Sequence, residues 1–169
     1  NNLFWLNAVR ALYEFVPAKI SLPEEQFVAG LWSPLLQACL RIGIRKPLVS
    51  TFQLSVTEIC PGLVGERFID LAYHLPNNRK RPELDQFFKI PILMAEVSAY
   101  EVNNNFDHKD FRKLSTCMAA ALVALLGIGR NLPAADKKKL RIYGMFIGGH
   151  QWIPCVMIPV DIDSNTASF

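Results

Sequence analysis

The sequence predicts an α/β sandwich with a mixed sheet. Two observations carry that expectation: runs of strand length rich in Val, Ile, Phe and Tyr recur along the chain, and a long segment with helical spacing separates the third run from the fourth. The resulting order is helix, strand, strand, strand, helix, strand, strand, with an extra helix in front.

In that front segment, Phe4, Trp5, Ala8, Leu12 and Phe15 fall near helical spacing. Residues 1–17 therefore read as an accessory amphipathic helix, suited also to docking on another domain. The stretch "SLPEEQFVAGLWSPLLQACLRIG" offers Ser21 as an N-cap, Pro23 in the first turn with Glu24 and Glu25 beside it, and Gly43 as a stop. Pro34 is expected to kink or split this helix, because proline lacks the N–H that the helix needs. Beyond Pro47, "LVSTFQLSVTEI" and "ERFIDLAYHL" read as strands joined by the turn "CPGLVG". A polar loop from Pro76 to about Gln86 leads to a third strand, Ile90 to Val102.

The segment from Asp107 to Gly129 carries Phe111, Leu114, Met118, Ala121, Leu122 and Leu125 on one side, with Asp107 as N-cap candidate and Gly127 or Gly129 as stop. After a basic loop, "PAADKKK", the strands "LRIYGMFIG" and "QWIPCVMIPV" are joined by the tight turn "GGH".

With 169 residues, of which 51% are hydrophobic, the chain is expected to form a single domain, cut from a longer protein. A net charge of +3 is compatible with a phosphate-bearing partner without demanding one. The four cysteines, Cys39, Cys60, Cys117 and Cys155, form no C-x-x-C pair and have no histidine at zinc-ligand spacing, so they read as core thiols. The longest apolar run, Cys117 to Gly129, is too short to span a bilayer, and the amino end lacks the pattern of a secretory signal. Histidines 74, 108 and 150 are scattered with no nucleophile-elbow serine or cysteine, and no G-x-G-x-x-G or P-loop occurs.

Strand alternation picks out the candidate chemistry. Met94, Glu96, Ser98 and Tyr100 share one face of the third strand, and Phe68, Asp70 and Ala72 share one face of the second. If the strands are neighbours, Asp70 and Glu96 approach each other, and a divalent cation relieves both their repulsion and their poor solvation. Lys109, Arg112, Lys113 and Thr116 fall opposite the apolar stripe of the following helix, where positive groups suit a phosphodiester. The two acids also read as a buried pair neutralised by Arg67, Lys89 or backbone donors, and the basic face as a solvated one.

The order α-β-β-β-α-β, the acid in the second strand and the Glu-x-(Lys) position in the third resemble the PD-(D/E)XK nuclease superfamily, with its restriction-endonuclease-like fold. The "E…F…PLL" helix, the "KDFRKL" helix start and the hairpin "YGMFIGGHQWIPCVMIP" are similar, more narrowly, to nuclease-like domains of fungal and oomycete proteins, often found beside kinase-like domains. The resemblance covers Leu22 to Val160. It implies that Asp70 and Glu96 bind Mg²⁺ or Mn²⁺, that the backbone carbonyl of Val97 is a third ligand, and that Glu25, with Glu24 as its rival, adds a carboxylate from the first helix.

Two positions depart from the family pattern. Ile69 stands where proline is common, and Ser98 stands where the family places its lysine. Serine can hold a water but supplies no charge. Some members move the lysine to the following helix, a role open here to Lys109 or Lys113. The implied activity is metal-dependent hydrolysis of DNA or RNA. Without a replacement lysine, the implied protein is a pseudo-nuclease that binds nucleic acid or a protein partner. An intracellular setting, nuclear or cytoplasmic and away from membranes, goes with either expectation.

Overall fold

The computed structural model describes residues 26, 28–33, 35–36, 49–55, 66–75, 85–98, 109–148, 151–161 and 166–168. Its elements are a π-helical segment α1 (Val28–Trp32), β1 (Val49–Ser55), β2 (Glu66–His74), α2 (Asp85–Lys89), β3 (Pro91–Ser98), α3 (Lys109–Ile128), α4 (Ala134–Lys137), β4 (Ile142–Gly148), β5 (Gln151–Asp161) and β6 (Thr166–Ser168). The expected helix over residues 1–17, Glu24 and Glu25, the connection at 60–65 and the turn at 149–150 lie outside the described residues.

The strands lie in the order β1-β2-β3-β4-β5-β6. All neighbours are antiparallel except β3 and β4, which run parallel with Glu96 beside Phe146 and Ser98 beside Gly148. A parallel pair needs a long crossover, and α3 lies in the connection between them. The architecture is thus α/β with a mixed sheet.

Alternation along the strands feeds two cores. Met94 of β3, Ile142 and Phe146 of β4 and Met157 of β5 pack with the apolar side of α3, from Phe111 through Leu114, Met118 and Leu122 to Leu125. The rings of Phe111 and Phe146 meet edge to face at 5.7 Å. Leu71, Tyr73, Ala95, Val97 and Ile147 pack instead with Val28, Trp32, Leu35 and Leu36. Helical segments therefore cover both faces of the sheet, which buries β3 almost completely.

Gly144 is required by this packing. A methyl group on it would run into Met118 Sδ and come within 2.8 Å of Cys155 Sγ. Gly144→Ala is expected to destabilise the protein by about 1–3 kcal/mol through overpacking. A lower urea midpoint at unchanged slope would report it, whereas a wild-type midpoint would mean that the Met118 side chain swings clear.

Several elements differ from the expectations drawn from sequence. The helix expected from Ser21 to Gly43 is helical throughout its described residues, 26, 28–33 and 35–36, but widens to a π-helix over Val28–Trp32. A proline at 34 offers no N–H to the carbonyl four residues back, and a widened turn is a known accommodation. The loop expected as far as Gln86 gives way to α2 from Asp85, whose Asp85 and Lys89 complement the helix dipole at either end. The basic loop contains α4, one turn behind Pro133, with Asp136 and Lys137 donating their N–H groups to the Pro133 carbonyl at 2.9 and 3.0 Å.

β6 was not anticipated; it pairs with the far end of β5. The third strand begins at Pro91, not Ile90, and is described to Ser98. The 20-residue α3 is long and apolar enough to cross a membrane, with a mean hydropathy of 1.6 over 18 residues, so the shorter run read from sequence understated it. Half of that stretch is buried inside the protein, against the sheet.

Cys117 is buried and Cys155 half-buried, both as free thiols. Burial pushes the Cys155 thiol up to about 11, which makes it a poor nucleophile. Trp32 belongs to the core, while Trp152 is 48% exposed and meets the Trp32 ring edge to face at 5.3 Å.

Candidate functional site

The β2–β3 ladder pairs Tyr73 with Leu93, Ala72 with Met94 and Leu71 with Ala95. Carrying that register one residue further sets Asp70 across from Glu96, on the face turned toward α3. The ladder itself ends at Leu71 and Ala95. Instead, the Val97 N–H donates to Asp70 Oδ2 at 2.7 Å. An aspartate carboxylate thus takes a backbone donor of β3, which ties Asp70 to the strand that carries Glu96. Val97 meets the acid through its N–H.

Glu96 is 1% exposed, in a strand whose only other buried polar side chain is that of Ser98. Lys113, in the second turn of α3, answers it. Its Nζ lies 2.5 Å from Glu96 Oε2, with the lysine side chain 27% exposed. The sequence pattern placed Lys113 opposite the apolar stripe. The structure corrects this: Lys113 lies on the flank between stripe and solvent and reaches inward, its aliphatic stem spanning the distance. Lys109 and Arg112 are exposed, and Thr116 uses its hydroxyl locally, donating to the Arg112 carbonyl at 2.8 Å. Of the two lysines proposed as replacements, it is therefore Lys113 that meets the acids. Ser98 follows Glu96 on the same face, 3% exposed at the end of β3.

The electrostatics follow from burying two acids with one ammonium. The Glu96 carboxyl is pushed up to about 8, first by burial and then by the charge of Asp70, against the pull of Lys113. The Asp70 carboxyl is raised as well, chiefly by burial, while the Val97 N–H and Lys113 partly restrain it. Burial works against the Lys113 ammonium, yet its hydrogen bond to Glu96 and the surrounding negative charges outweigh that and raise it. Lys113 therefore stays charged, and near neutral pH the acid pair shares one proton.

Glu96 Oε1 is buried and has no hydrogen-bond partner among the described residues. An open carboxylate oxygen beside a second acid, on a pair that burial and mutual repulsion keep protonated, is the kind of donor a hard divalent ion takes. Among the described residues no three acidic, histidine or cysteine side chains converge to hold one ion. An ion held here would take Asp70 and Glu96 and complete its shell with water, backbone or substrate oxygens, as Mg²⁺ commonly does.

Sequence reading missed Asp110. It lies in the first turn of α3, half-buried, and its charge acts on Asp70, Glu96 and Lys113. The available signal was its spacing, three residues before Lys113 and therefore on the same side of the helix.

No family model, curated protein or solved structure matches this chain. The function is therefore argued from the site itself.

Proposed function

We propose that the chain is a divalent-metal-dependent nuclease-like domain with a restriction-endonuclease-like fold, acting on phosphodiester bonds of DNA or RNA. The observation that carries the proposal is the contact between Lys113 and Glu96 beside Asp70. It assembles the acid, acid and lysine that such hydrolysis uses, with the lysine coming from α3 where Ser98 occupies the strand position. The site lies at the C-terminal ends of the parallel pair β3 and β4, the usual location of ligand sites in open α/β sheets.

Asp70 and Glu96 would hold Mg²⁺ or Mn²⁺. When bound, the ion supplies Lewis-acid stabilisation of a phosphoryl oxygen and an acidified water. The chain's own residues do the rest. The Val97 N–H fixes the rotamer of Asp70. Lys113 keeps Glu96 ionised once its proton is displaced and sets a positive charge where negative charge develops. The apolar residues around β3 keep bulk water from screening that charge.

The test is cleavage of labelled single- and double-stranded DNA and RNA with Mn²⁺, comparing the wild type with Asp70→Ala and Glu96→Ala. Both substitutions are expected to remove cutting. Cutting that survives them would sink the assignment.

A second reading rests on the same contact. A lysine closed on a buried glutamate, with serine in the strand position, is also what a pseudo-nuclease would retain for binding nucleic acid or a protein partner. It predicts no cleavage with any of these substrates and no Mn²⁺ uptake by calorimetry.

A further inference from the structure

We propose that the end of the molecule formed by the C-terminal tip of α3, α4 and the entry to β4 is a docking surface for an anionic membrane face. The inference is independent of the metal-site reading of Asp70 and Glu96. Residues 128–143 hold five basic side chains, Arg130, Lys137, Lys138, Lys139 and Arg141, and one acid, Asp136. That leaves thirteen of the 18 basic and fourteen of the 15 acidic residues for the rest of the chain, so the net charge of +3 originates in this segment. Its single acid is engaged locally, with Asp136 Oδ1 taking Lys139 Nζ at 2.7 Å. The Arg141 guanidinium donates to the carbonyls of Lys138 and Leu140 at 2.5 and 2.7 Å. Its charge, like those of Arg130, Lys137 and Lys138, meets no carboxylate among the described residues. Leu140 packs against the core beneath the cluster, which ties α4 to the fold.

Charge alone would fit nucleic acid as well; the apolar side chains among the cations decide. Ile128 is 40% exposed and Leu132 44%. Leu132 is drawn back over the tip of α3: its N–H donates to the Gly129 carbonyl at 2.9 Å, and its Cδ1 lies 2.8 Å from where a Gly129 Cβ would stand. Both aliphatic side chains therefore stand at the helix end on either side of Arg130 in the chain. The exposed Pro133, Ala134 and Ala135 add no polar side chain between them and the lysines. A phosphate backbone gives partners to lysine and arginine but none to an exposed leucine. A bilayer gives both, anionic headgroups to the cations and acyl chains to the aliphatic groups. At about 1.5 Å per residue, Ile128 lies about 22 Å along α3 from Lys113. The segment enters β4 at the end of the sheet opposite the candidate site, so a protein seated by this surface presents Asp70 and Glu96 away from the bilayer.

The experiment is co-sedimentation of the chain with phosphatidylcholine vesicles, with and without phosphatidylserine, at about 0.1 M and about 0.5 M salt. Binding is expected only where phosphatidylserine is present, and the higher salt is expected to release it. Replacing both Lys137→Gln and Lys138→Gln should weaken binding about 25-fold, at about fivefold for each charge near an anionic surface. Leu132→Ser should weaken it about fivefold with the charge unchanged, because the exposed part of the side chain is withheld from the acyl region. If Leu132→Ser lowers the melting temperature, Ile128→Ser is read in its place. The same proteins are titrated in EDTA into labelled DNA and RNA, followed by fluorescence anisotropy. Tighter binding to nucleic acid than to the vesicles, lost in the lysine variant and kept in the serine one, overturns the proposal in favour of a phosphate-backbone surface. A wild type that does not sediment with anionic vesicles also overturns it, as does sedimentation that either the lysine or the serine variant leaves unchanged.

Discussion

Lys113→Met is expected to abolish Mn²⁺-dependent cleavage and to destabilise the protein by about 1.5–3 kcal/mol, the usual worth of a hydrogen bond to a charged group. Methionine preserves the aliphatic stem, so the loss isolates the ammonium. Glu96 would then be a buried acid without its cation. An isolated buried charge is far costlier, but Glu96 escapes that cost by keeping its proton, which limits the destabilisation. The same escape removes the anion the proposed site needs. Lys109→Met is the control, because Lys109 is exposed at the start of α3 and should leave cleavage unchanged. If Lys113→Met cut as well as the wild type, the lysine would have to come from elsewhere and the proposed arrangement would fall.

Mn²⁺ affinity is expected to rise about tenfold per pH unit from about pH 6 to about pH 8 and then to level, because each ion bound must displace one proton. The proton belongs to the acid pair, whose Glu96 carboxyl burial and Asp70 push up to about 8. Metal-free stability should run the other way. A glutamate in the unfolded chain ionises near 4.5. Between about 4.5 and 8 the folded state therefore holds more protons than the unfolded one, and stability falls as pH rises through that window. Asp70, also raised, adds to the fall with the same sign. Lys113 contributes oppositely placed stability, present at these pH values and lost only in strong alkali, above the unfolded lysine value. Melts in EDTA at pH 5 and pH 8, repeated for Glu96→Gln, read the first effect. Calorimetry in buffers of different ionisation enthalpy reads the proton released with Mn²⁺. Equal affinity at pH 6 and pH 8 would mean that the pair is already ionised.

Much of the site is legible in a few residues of sequence. Alternation in β3 places Glu96 and Ser98 on one side and Val97 on the other, and burial follows that division: Met94 packs with α3 while Ala95 and Val97 pack with α1. Asp70 on β2 was legible for the same reason. The lysine was narrowed to two positions, and helix periodicity then misled, since it assigned Lys113 to the solvent side. A lysine at the edge of an apolar stripe can turn either way, and the pull of a buried carboxylate decides which. Asp110 was missed because a first-turn acid reads equally well as a helix-dipole partner.

Local periodicity is written in the chain: about two residues per repeat in the strands, about 3.6 in α3, and hence which side chains share a face. These depend only on backbone geometry and on the polarity of near neighbours. Tertiary packing alone settled that β2 pairs with β3 as far as Leu71 and Ala95, next to Asp70 and Glu96. It alone also turned α3 so that Lys113, and not Lys109, closes on that pair. Both depend on side chains distant in sequence, with Met118 and Leu122 of α3 packed in one core with Phe146 and Met157. That packing sets the rotation of the helix over the sheet.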